Sequence, residues 1–269
     1  MSVRKLLKSA LSLLQPINRN AEAVFFLSTG RTGTTFLAKL FDVPAIYSVH
    51  EPQPWLFQSR LDAYLAGDHT ENRWRSTLHT TRAKLINRAH GQGRLYVETS
   101  AFLSFFTPLL SRMLPKAKFI YVHRHPGEVV RSGMRRRWYN AHPNDHMRLR
   151  PRADSDYAQV WSSMSPFEKN CWYWAYYNDH CLSCVEKIEP SRVLVIPFSK
   201  ITDEVTGVQK ILDFLQRDLY TEDEISDMIV RPQNAQTSGA FPYYEQWNDE
   251  SKATLQKIAG FCMARLNYE

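Results

Sequence analysis

The sequence is poor in cysteine and has no long apolar run. Only four of its 269 residues are cysteine, and they form no dense framework of the kind that staples small secreted domains. We therefore expect reduced thiols and a cytoplasmic protein. No apolar run approaches the about 18 to 20 residues that a membrane-spanning helix needs. These two absences argue against a disulfide-stabilised secreted domain and against an integral membrane protein.

Neither a metal centre nor a nucleic-acid interface is indicated. Cys181 and Cys184 have the C-x-x-C spacing with His180 beside them, but the second ligand pair of a zinc site is missing. We expect core thiols there and no metal ion. The 34 Lys and Arg residues exceed the 27 Asp and Glu residues, which gives a net charge of +7. This moderate excess suits a polyanionic cofactor or an acidic acceptor, and it lacks the clustered basic signature of a nucleic-acid binder.

Strand-like and helix-like segments alternate along most of the chain. Apolar runs begin near residues 24, 45, 95, 119 and 193, and helical periodicity appears between them. The alternation predicts a single α/β domain over residues 21–269, with a central parallel sheet flanked by helices. Residues 1–20 predict a short basic amphipathic helix that either docks on this domain or makes peripheral contact with an anionic membrane. A signal peptide is not expected, because a long apolar core and a cleavage site are missing.

Helix starts and one irregular region can also be read from the sequence. Ser165–Glu168, Thr206–Gln209 and Thr221–Glu224 each place a hydroxyl residue three positions before Glu or Gln, the pattern of a capping box. The first of these predicts a long helix that reaches about Lys187. Residues 135–164 are rich in arginine and interrupt the alternation. They predict an irregular loop, which is either a solvated insertion or a lid over an acceptor.

The first strand runs into a glycine loop and a helix. The apolar run Val24–Leu27 is followed by Gly30 and Gly33, and apolar residues then recur from Phe36 at helical spacing. This arrangement points backbone N–H groups at an anion, usually a phosphate. A Walker A loop has four residues between its glycines and a lysine after the second. Here two residues separate the glycines, and the only cation, Arg31, precedes the second one, so ATP or GTP hydrolysis is disfavoured.

Titratable residues follow the second and fourth strands. His50 and Glu51 come just before two prolines stop regular structure, and Arg124 comes two residues before Pro126 opens a helix. In open parallel sheets, ligands bind at the carboxyl ends of the strands. Glu51 or His50 is therefore a candidate general base. On local grounds alone, these two residues are explained nearly as well as polar residues that end a strand and have no catalytic role.

The two strand-to-helix corners together resemble the signatures of the sulfotransferase family. Arg31–Phe36 follows the loop pattern of a basic residue, Ser/Thr, Gly, Thr, Thr and an apolar residue. Many members carry lysine at the basic position, and others carry arginine. Arg124, Pro126 and Ser132 resemble the second signature, in which Ser lies eight positions after Arg. The resemblance extends over nearly the whole chain, from Val24 to Tyr268.

The resemblance implies a P-loop-NTPase-like sulfotransferase fold that binds 3′-phosphoadenosine 5′-phosphosulfate (PAPS) and releases 3′-phosphoadenosine 5′-phosphate (PAP). It assigns the 3′-phosphate to Arg124 and Ser132. A later loop often closes over the cofactor in this family. Here that loop lacks the usual basic residues, and its contacts carry over to Gln236, Thr237 and Ser238. The residues assigned to the 5′-phosphosulfate are Gly30, Arg31, Thr32, Gly33, Thr34, Thr35 and Phe36.

The resemblance also ranks the candidate bases. Glu-Pro after the second strand resembles the carbohydrate-directed and bacterial branches, which favours Glu51, with His50 in reserve. His123 and Glu98 are weaker candidates at neighbouring strand ends. We expect in-line sulfuryl transfer, with Arg31 stabilising charge, to a hydroxyl or amine of a polar small-molecule or glycan-like acceptor and without a metal. The family commonly has Glu after the last strand, where this chain has Ser199.

Two other functions stay open at this stage. A P-loop nucleotide kinase or NTPase would explain the first loop but not the missing lysine or the second signature. A non-catalytic adenosine-phosphate-binding protein would keep both phosphate sites without needing Glu51. The sequence does not indicate the acceptor or the oligomeric state.

Overall fold

A five-stranded sheet organises the chain. The structure, a computed structural model, describes residues 16–66, 71–229 and 239–268. Neighbouring strands follow the order β2-β3-β1-β4-β5, and β1 pairs in parallel with both β3 and β4. The predicted α/β domain with a parallel sheet flanked by helices is confirmed. The strands are β1 (Ala23–Leu27), β2 (Ile46–His50), β3 (Leu95–Thr99), β4 (Lys118–His123) and β5 (Val193–Pro197).

Helices connect these strands, and most of them lie where the periodicity predicts them. The α-helices of the described residues are α1 (Thr34–Leu40), α2 (Phe57–Ala66), α3 (Glu71–Gly91), α4 (Thr107–Met113), α5 (Pro126–Arg135), α6 (Asp156–Val160), α7 (Pro166–Val185), α8 (Phe198–Asp203), α9 (Val205–Leu215), α10 (Glu222–Ile229) and α11 (Asp249–Arg265). Short 3₁₀ helices span Ala101–Phe106, Asp145–Met147, Pro190–Arg192 and Tyr244–Gln246. Within the described ranges, no helix is long and apolar enough to cross a membrane.

The central strand is apolar along its whole length because it is covered on both faces. All five residues of β1 are buried, as expected for an interior strand of a parallel sheet. Phe25 lies opposite Glu98 on one neighbouring strand and Phe119 on the other. Its ring centroid is 5.7 Å from that of Phe119 and 6.2 Å from that of Tyr96. These contacts fix the position at which β1 ends and the glycine loop begins.

Two of the three predicted capping boxes form. The Ser165 and Glu168 side chains accept hydrogen bonds from each other's backbone N–H at 3.2 and 2.7 Å, and Thr221 caps its helix in the same way. The prediction for Thr206–Gln209 is wrong. Helix α9 already begins at Val205, and a Cβ on Gly207 would lie 1.8 Å from the Lys200 carbonyl oxygen. Close packing of α8 against α9 therefore sets this boundary.

The chain forms two compact units. Of the described residues, the first contains 16–27, 34–66, 71–121 and 184–194. The second contains 28–33, 122–183, 195–229 and 239–268. Cys181 and Cys184 are buried in the core, as predicted. Residues 1–15 of the predicted N-terminal helix lie outside the described residues.

A buried ion pair lies beneath the strand ends of the first unit. Arg82 and Glu98 have fully buried side chains, and the Arg82 Nε donates to both Glu98 carboxylate oxygens, at 3.0 and 2.8 Å. Tyr96 donates its hydroxyl to the same carboxylate at 2.7 Å. Burial, together with the Glu98 charge, raises the pKa of Tyr96 well above its ordinary value. Arg82 also donates to the Pro54 carbonyl oxygen at 3.2 Å, which ties the pair to the loop after β2.

Replacing Arg82 should be costly, because it leaves a buried carboxylate without its counter-charge. We expect Arg82→Met to lower the free energy of unfolding by about 3 to 5 kcal/mol in urea denaturation. Arg73→Met is the control, since that arginine side chain is 63% exposed and lies 3.5 Å from Asp62. Its loss should cost less than about 1 kcal/mol. Equal losses in the two variants would contradict a special role for the buried pair.

Candidate functional site

The loop after β1 has a strained backbone. Gly30, Arg31 and Gly33 have φ values of 79°, 62° and 68°, in the left-handed region. Glycine adopts this region readily, whereas a residue with a Cβ there costs about 1 to 2 kcal/mol. Arg31 is therefore held in place by its surroundings. Strained residues of this kind cluster at binding and active sites.

Gly33 is required for a second reason, which is the close approach of Phe198. A Cβ on Gly33 would lie 2.1 Å from Cε2 of the Phe198 ring. No side chain fits at that distance, so only glycine lets this aromatic ring pack on the loop. Phe198 is the first residue of α8 and directly follows β5. The ring thus fixes the position of the loop within the second unit.

The two sequence signatures meet in the second unit. Arg31 donates from Nε to the Ser132 Oγ at 3.1 Å, across 101 residues of chain. Arg124 donates from Nη1 to the Arg31 carbonyl oxygen at 2.9 Å. The structure therefore brings the predicted 5′-phosphosulfate cation together with both predicted 3′-phosphate residues. These three residues are joined through the side chain and the backbone of Arg31, and together they form the Arg31–Arg124–Ser132 cluster.

Arg124 is also oriented by a carboxylate. Its Nε and Nη2 donate to the two Glu128 oxygens at 3.0 and 2.8 Å. Burial pushes the pKa of Glu128 upward, but the hydrogen bonds and charge of Arg124 outweigh burial and lower this pKa. The Arg124 guanidinium carbon also lies 5.2 Å from the centroid of the Phe198 ring. These contacts select one orientation of the guanidinium before any ligand binds.

Two consecutive aromatic residues of α7 support both signatures. The Tyr173 hydroxyl donates to the Thr29 carbonyl oxygen at 2.7 Å, and Trp174 donates from Nε1 to the Arg124 carbonyl oxygen at 2.9 Å. Trp174 is fully buried, and helical periodicity alone marks it as a core residue. Its polar N–H is the part that periodicity could not assign.

His50 and Glu51 lie at the end of β2 in the first unit. The His50 Nδ1 is 2.8 Å from the Thr99 carbonyl oxygen, which can only accept, so Nδ1 carries the proton. In the neutral ring the Nε2 lone pair then faces the Thr35 hydroxyl at 3.4 Å. Glu51 has a φ of 42°, again in the left-handed region. His50 is therefore oriented by hydrogen bonds, and Glu51 has an unusual backbone conformation.

The other residues predicted to bind the cofactor differ in how accessible they are. Thr34 opens α1 and Phe36 is buried in it. The whole of Thr32 is buried, and its hydroxyl has no hydrogen-bond partner among the described residues. A ligand cannot reach this side chain unless the loop moves. Gln236, Thr237 and Ser238 lie outside the described residues.

The two weaker base candidates are occupied by other contacts. Glu98 belongs to the buried pair with Arg82. His123 is 5% exposed and hydrogen-bonds to Tyr268. Across the part of the chain that the structure describes, no group of three or more His, Cys, Asp or Glu side chains is arranged to hold a metal ion.

Most of the arginine-rich region lies outside regular helices and strands, and part of it is buried. Arg148 is buried, donates from Nε to Asp145 at 3.0 Å and lies 4.3 Å over the Trp138 ring. Asp145 also accepts the backbone N–H groups of Tyr139 and His142, both at 3.0 Å. One carboxylate thus organises the turn that follows α5.

Comparisons with solved structures agree with the fold. The sulfotransferase domain from the curacin biosynthetic pathway superposes with a TM-score of 0.54 at 17% identity, covering 94% of this chain and 99% of that one. Sulfotransferase STF9 from Mycobacterium avium gives 0.58 at 15% identity, covering 99% and 82%. Mouse sulfotransferase SULT7A1, complexed with PAP, gives 0.54 at 15% identity, covering 98% and 91%.

The search of curated protein sequences gives no match to this chain. The sequence model described as "Sulfotransferase family" matches residues 23–222, well over half of the chain. That match, together with the two signatures in the expected order and in contact with each other, identifies the chain as a member of the sulfotransferase family.

Proposed function

We propose that this protein transfers the sulfuryl group of PAPS to a hydroxyl or amine of a polar small-molecule or carbohydrate-like acceptor. Family membership supports sulfuryl transfer in general. The Arg31–Arg124–Ser132 cluster is the observation that carries the choice of donor, because the Arg31 guanidinium contacts the Ser132 hydroxyl while the Arg124 guanidinium contacts the Arg31 backbone. The solved mouse sulfotransferase complexed with PAP is similar in fold, which agrees with this choice.

The residues present fit a nucleotide with anionic groups at both ends. Arginine suits phosphate and sulfate because its planar fork of N–H donors matches their oxygens. We assign the 5′-phosphosulfate to the Gly30–Phe36 loop and the 3′-phosphate to Arg124 and Ser132. Gln236, Thr237 and Ser238 complete the proposed 3′-phosphate contacts. The strained loop supports this assignment, since a preorganised backbone loses little freedom when the anion binds.

The proposed reaction is an in-line displacement at sulfur. The acceptor oxygen or nitrogen forms the new bond to sulfur while the bond between sulfur and the bridging phosphate oxygen breaks, and PAP leaves. Negative charge grows on the leaving phosphate, where Arg31 can stabilise it. A base must remove the acceptor proton as the new bond forms.

We propose Glu51 as that base, with His50 in reserve. Glu51 follows a strand end, where ligands bind in parallel sheets, and its left-handed backbone is the kind of strain found at functional sites. The His50 tautomer keeps a lone pair on Nε2, so this imidazole can also accept a proton. Glu98 is set aside, because its buried carboxylate already receives Arg82 and Tyr96.

Binding of PAP tests the donor site most directly. We expect Arg124→Ala to raise the Kd of PAP in calorimetric titration by about 10- to 100-fold, in line with the loss of a hydrogen bond between charged groups. Arg75→Ala is a matched control, because Arg75 forms a similar i,i+4 ion pair with Glu71 at 2.8 Å. A preference for ATP over PAP, or an unchanged Kd in Arg124→Ala, would contradict the proposal and favour an NTPase or another phosphate-binding protein.

A pair of glycines tests the loop. Gly33 and Gly93 have almost the same φ, 68° and 65°, but a Cβ on Gly93 would have nothing within 4 Å. Both alanine variants carry the cost of a left-handed backbone, about 1 to 2 kcal/mol, and only Gly33→Ala also collides with Phe198. We expect Gly33→Ala alone to weaken PAP binding in the same titration. Equal weakening in the two variants would show that the loop does not touch the ligand.

The role of Glu51 can be tested with a panel of sugars, phenols and amines as acceptors and PAP release as the signal. We expect Glu51→Gln to lower kcat about 100-fold or more with the best acceptor, while the Kd of PAP stays unchanged. His50→Asn is the comparison, since asparagine can still donate to the Thr99 carbonyl oxygen. Near-normal turnover in Glu51→Gln, with a large loss in His50→Asn, would transfer the role to His50. Tight PAP binding without transfer to any acceptor would instead indicate a non-catalytic binding protein.

A further inference from the structure

The backbone around Arg124 is held from three sides. Trp174 binds the Arg124 carbonyl oxygen at 2.9 Å. On the side of helix α5, His125 is the N-cap, and its Nδ1 accepts the Gly127 N–H at 3.1 Å. On the other side, the His123 Nδ1 lies 2.7 Å from the Tyr268 hydroxyl. The corner that presents Arg124 is therefore fixed by the two imidazoles that flank it.

Tyr268 contacts both of these imidazoles. Its ring centroid is 5.3 Å from that of His123 and 5.3 Å from that of His125, with interplanar angles of 75° and 87°. Such edge-to-face contacts between aromatic rings are favourable. The Tyr268 ring also lies 6.1 Å from Trp174, so it closes a small aromatic cluster behind Arg124.

The flanking imidazoles add no charge beside the arginine. Burial lowers the pKa of His123 to about 4, so this ring is neutral near pH 7. Burial, opposed by the charges of Glu128 and Glu245, also lowers the pKa of His125. Burial and the nearby Glu128 charge raise the pKa of Tyr268, which keeps its hydroxyl protonated. Tyr268 and His123 are thus hydrogen-bonded as neutral groups, and neither of them repels the Arg124 guanidinium.

The turn that ends the last helix, α11, places Tyr268 beside these imidazoles. Asn267 has a φ of 57°, the left-handed conformation that ends helices, and the Tyr268 N–H donates to the Met263 carbonyl oxygen at 2.9 Å. Arg265 forms an ion pair with Asp179 of α7. Helix α7 therefore anchors both Trp174 and the turn that carries Tyr268.

We propose that Tyr268 is a positioning residue for Arg124. By holding the imidazoles on both sides, it fixes the guanidinium in the orientation that binds the 3′-phosphate. This inference rests on the proposed function, in which Arg124 holds that phosphate. Tyr268 itself does not touch the ligand, and its effect on binding passes through Arg124.

A double-mutant cycle tests this coupling on the full chain, with PAP as the probe. We expect Tyr268→Phe to raise the Kd of PAP about 3- to 10-fold through the loss of one hydrogen bond. In the Arg124→Ala background, the same change should leave the Kd unmoved, because Tyr268 acts through Arg124. His123→Phe removes the hydrogen bond from the other side and should give a similar, non-additive rise. Tyr157→Phe is the control for the loss of a tyrosine hydroxyl elsewhere in the same unit.

The outcomes separate the two proposals. An unchanged Kd in both Tyr268→Phe and His123→Phe, or an equal rise in the presence and absence of Arg124, overturns the positioning role. An Arg124→Ala variant that binds PAP like the wild type contradicts the proposed function itself, and the positioning role with it. Phenylalanine keeps the ring packing, so the thermal unfolding midpoint of Tyr268→Phe should stay close to that of the wild type.

Discussion

The second unit depends on a pair of hydrogen bonds that join two distant parts of the sequence. Arg31 donates to the Ser132 hydroxyl while its own carbonyl oxygen receives Arg124. The side chain and the backbone of one residue are thereby used at the same time, and this explains why Arg31 tolerates a left-handed φ of 62°. Each signature is a short local segment, and its sequence alone does not fix its position relative to the other signature. The reciprocal bonds make their relative position a property of the fold.

Helix α7 provides the support that these bonds need. Consecutive side chains on a helix point about 100° apart, so Tyr173 and Trp174 reach two different backbone segments from neighbouring positions. Tyr173 holds the carbonyl oxygen of Thr29, and Trp174 holds that of Arg124. Any shift of the helix would move both carbonyl groups together. A rigid helix thus serves as a common reference for the two loops to which we assign the two ends of the proposed cofactor.

Much of the fold could be predicted from the sequence, because buried strands and amphipathic helices leave clear periodic patterns. The five strand positions, the long helix from Pro166 and the meeting of the two signatures all follow from local pattern or from family resemblance. The helix start at Val205 could not be predicted, since it depends on Gly207 lying against Lys200. The burial of Glu98 and Arg148 could not be predicted either. Their partners, Arg82 and Trp138, are 16 and 10 residues away, at distances that periodicity does not relate.

Arginine at position 31 can make a structural hydrogen bond and carry a positive charge at the same time. The Nε of Arg31 is taken by Ser132, while the guanidinium carries further nitrogens on the same plane. A lysine, common at this position in the family, has a single nitrogen on a flexible stem. Its three N–H donors all lie on that one nitrogen, so a single ammonium group would have to lie within reach of both the serine and an anion. Arginine can form the structural cross-link through Nε and still carry positive charge at the end of its side chain. Arginine and lysine, which this signature accepts alike in the family, are therefore less interchangeable in this chain.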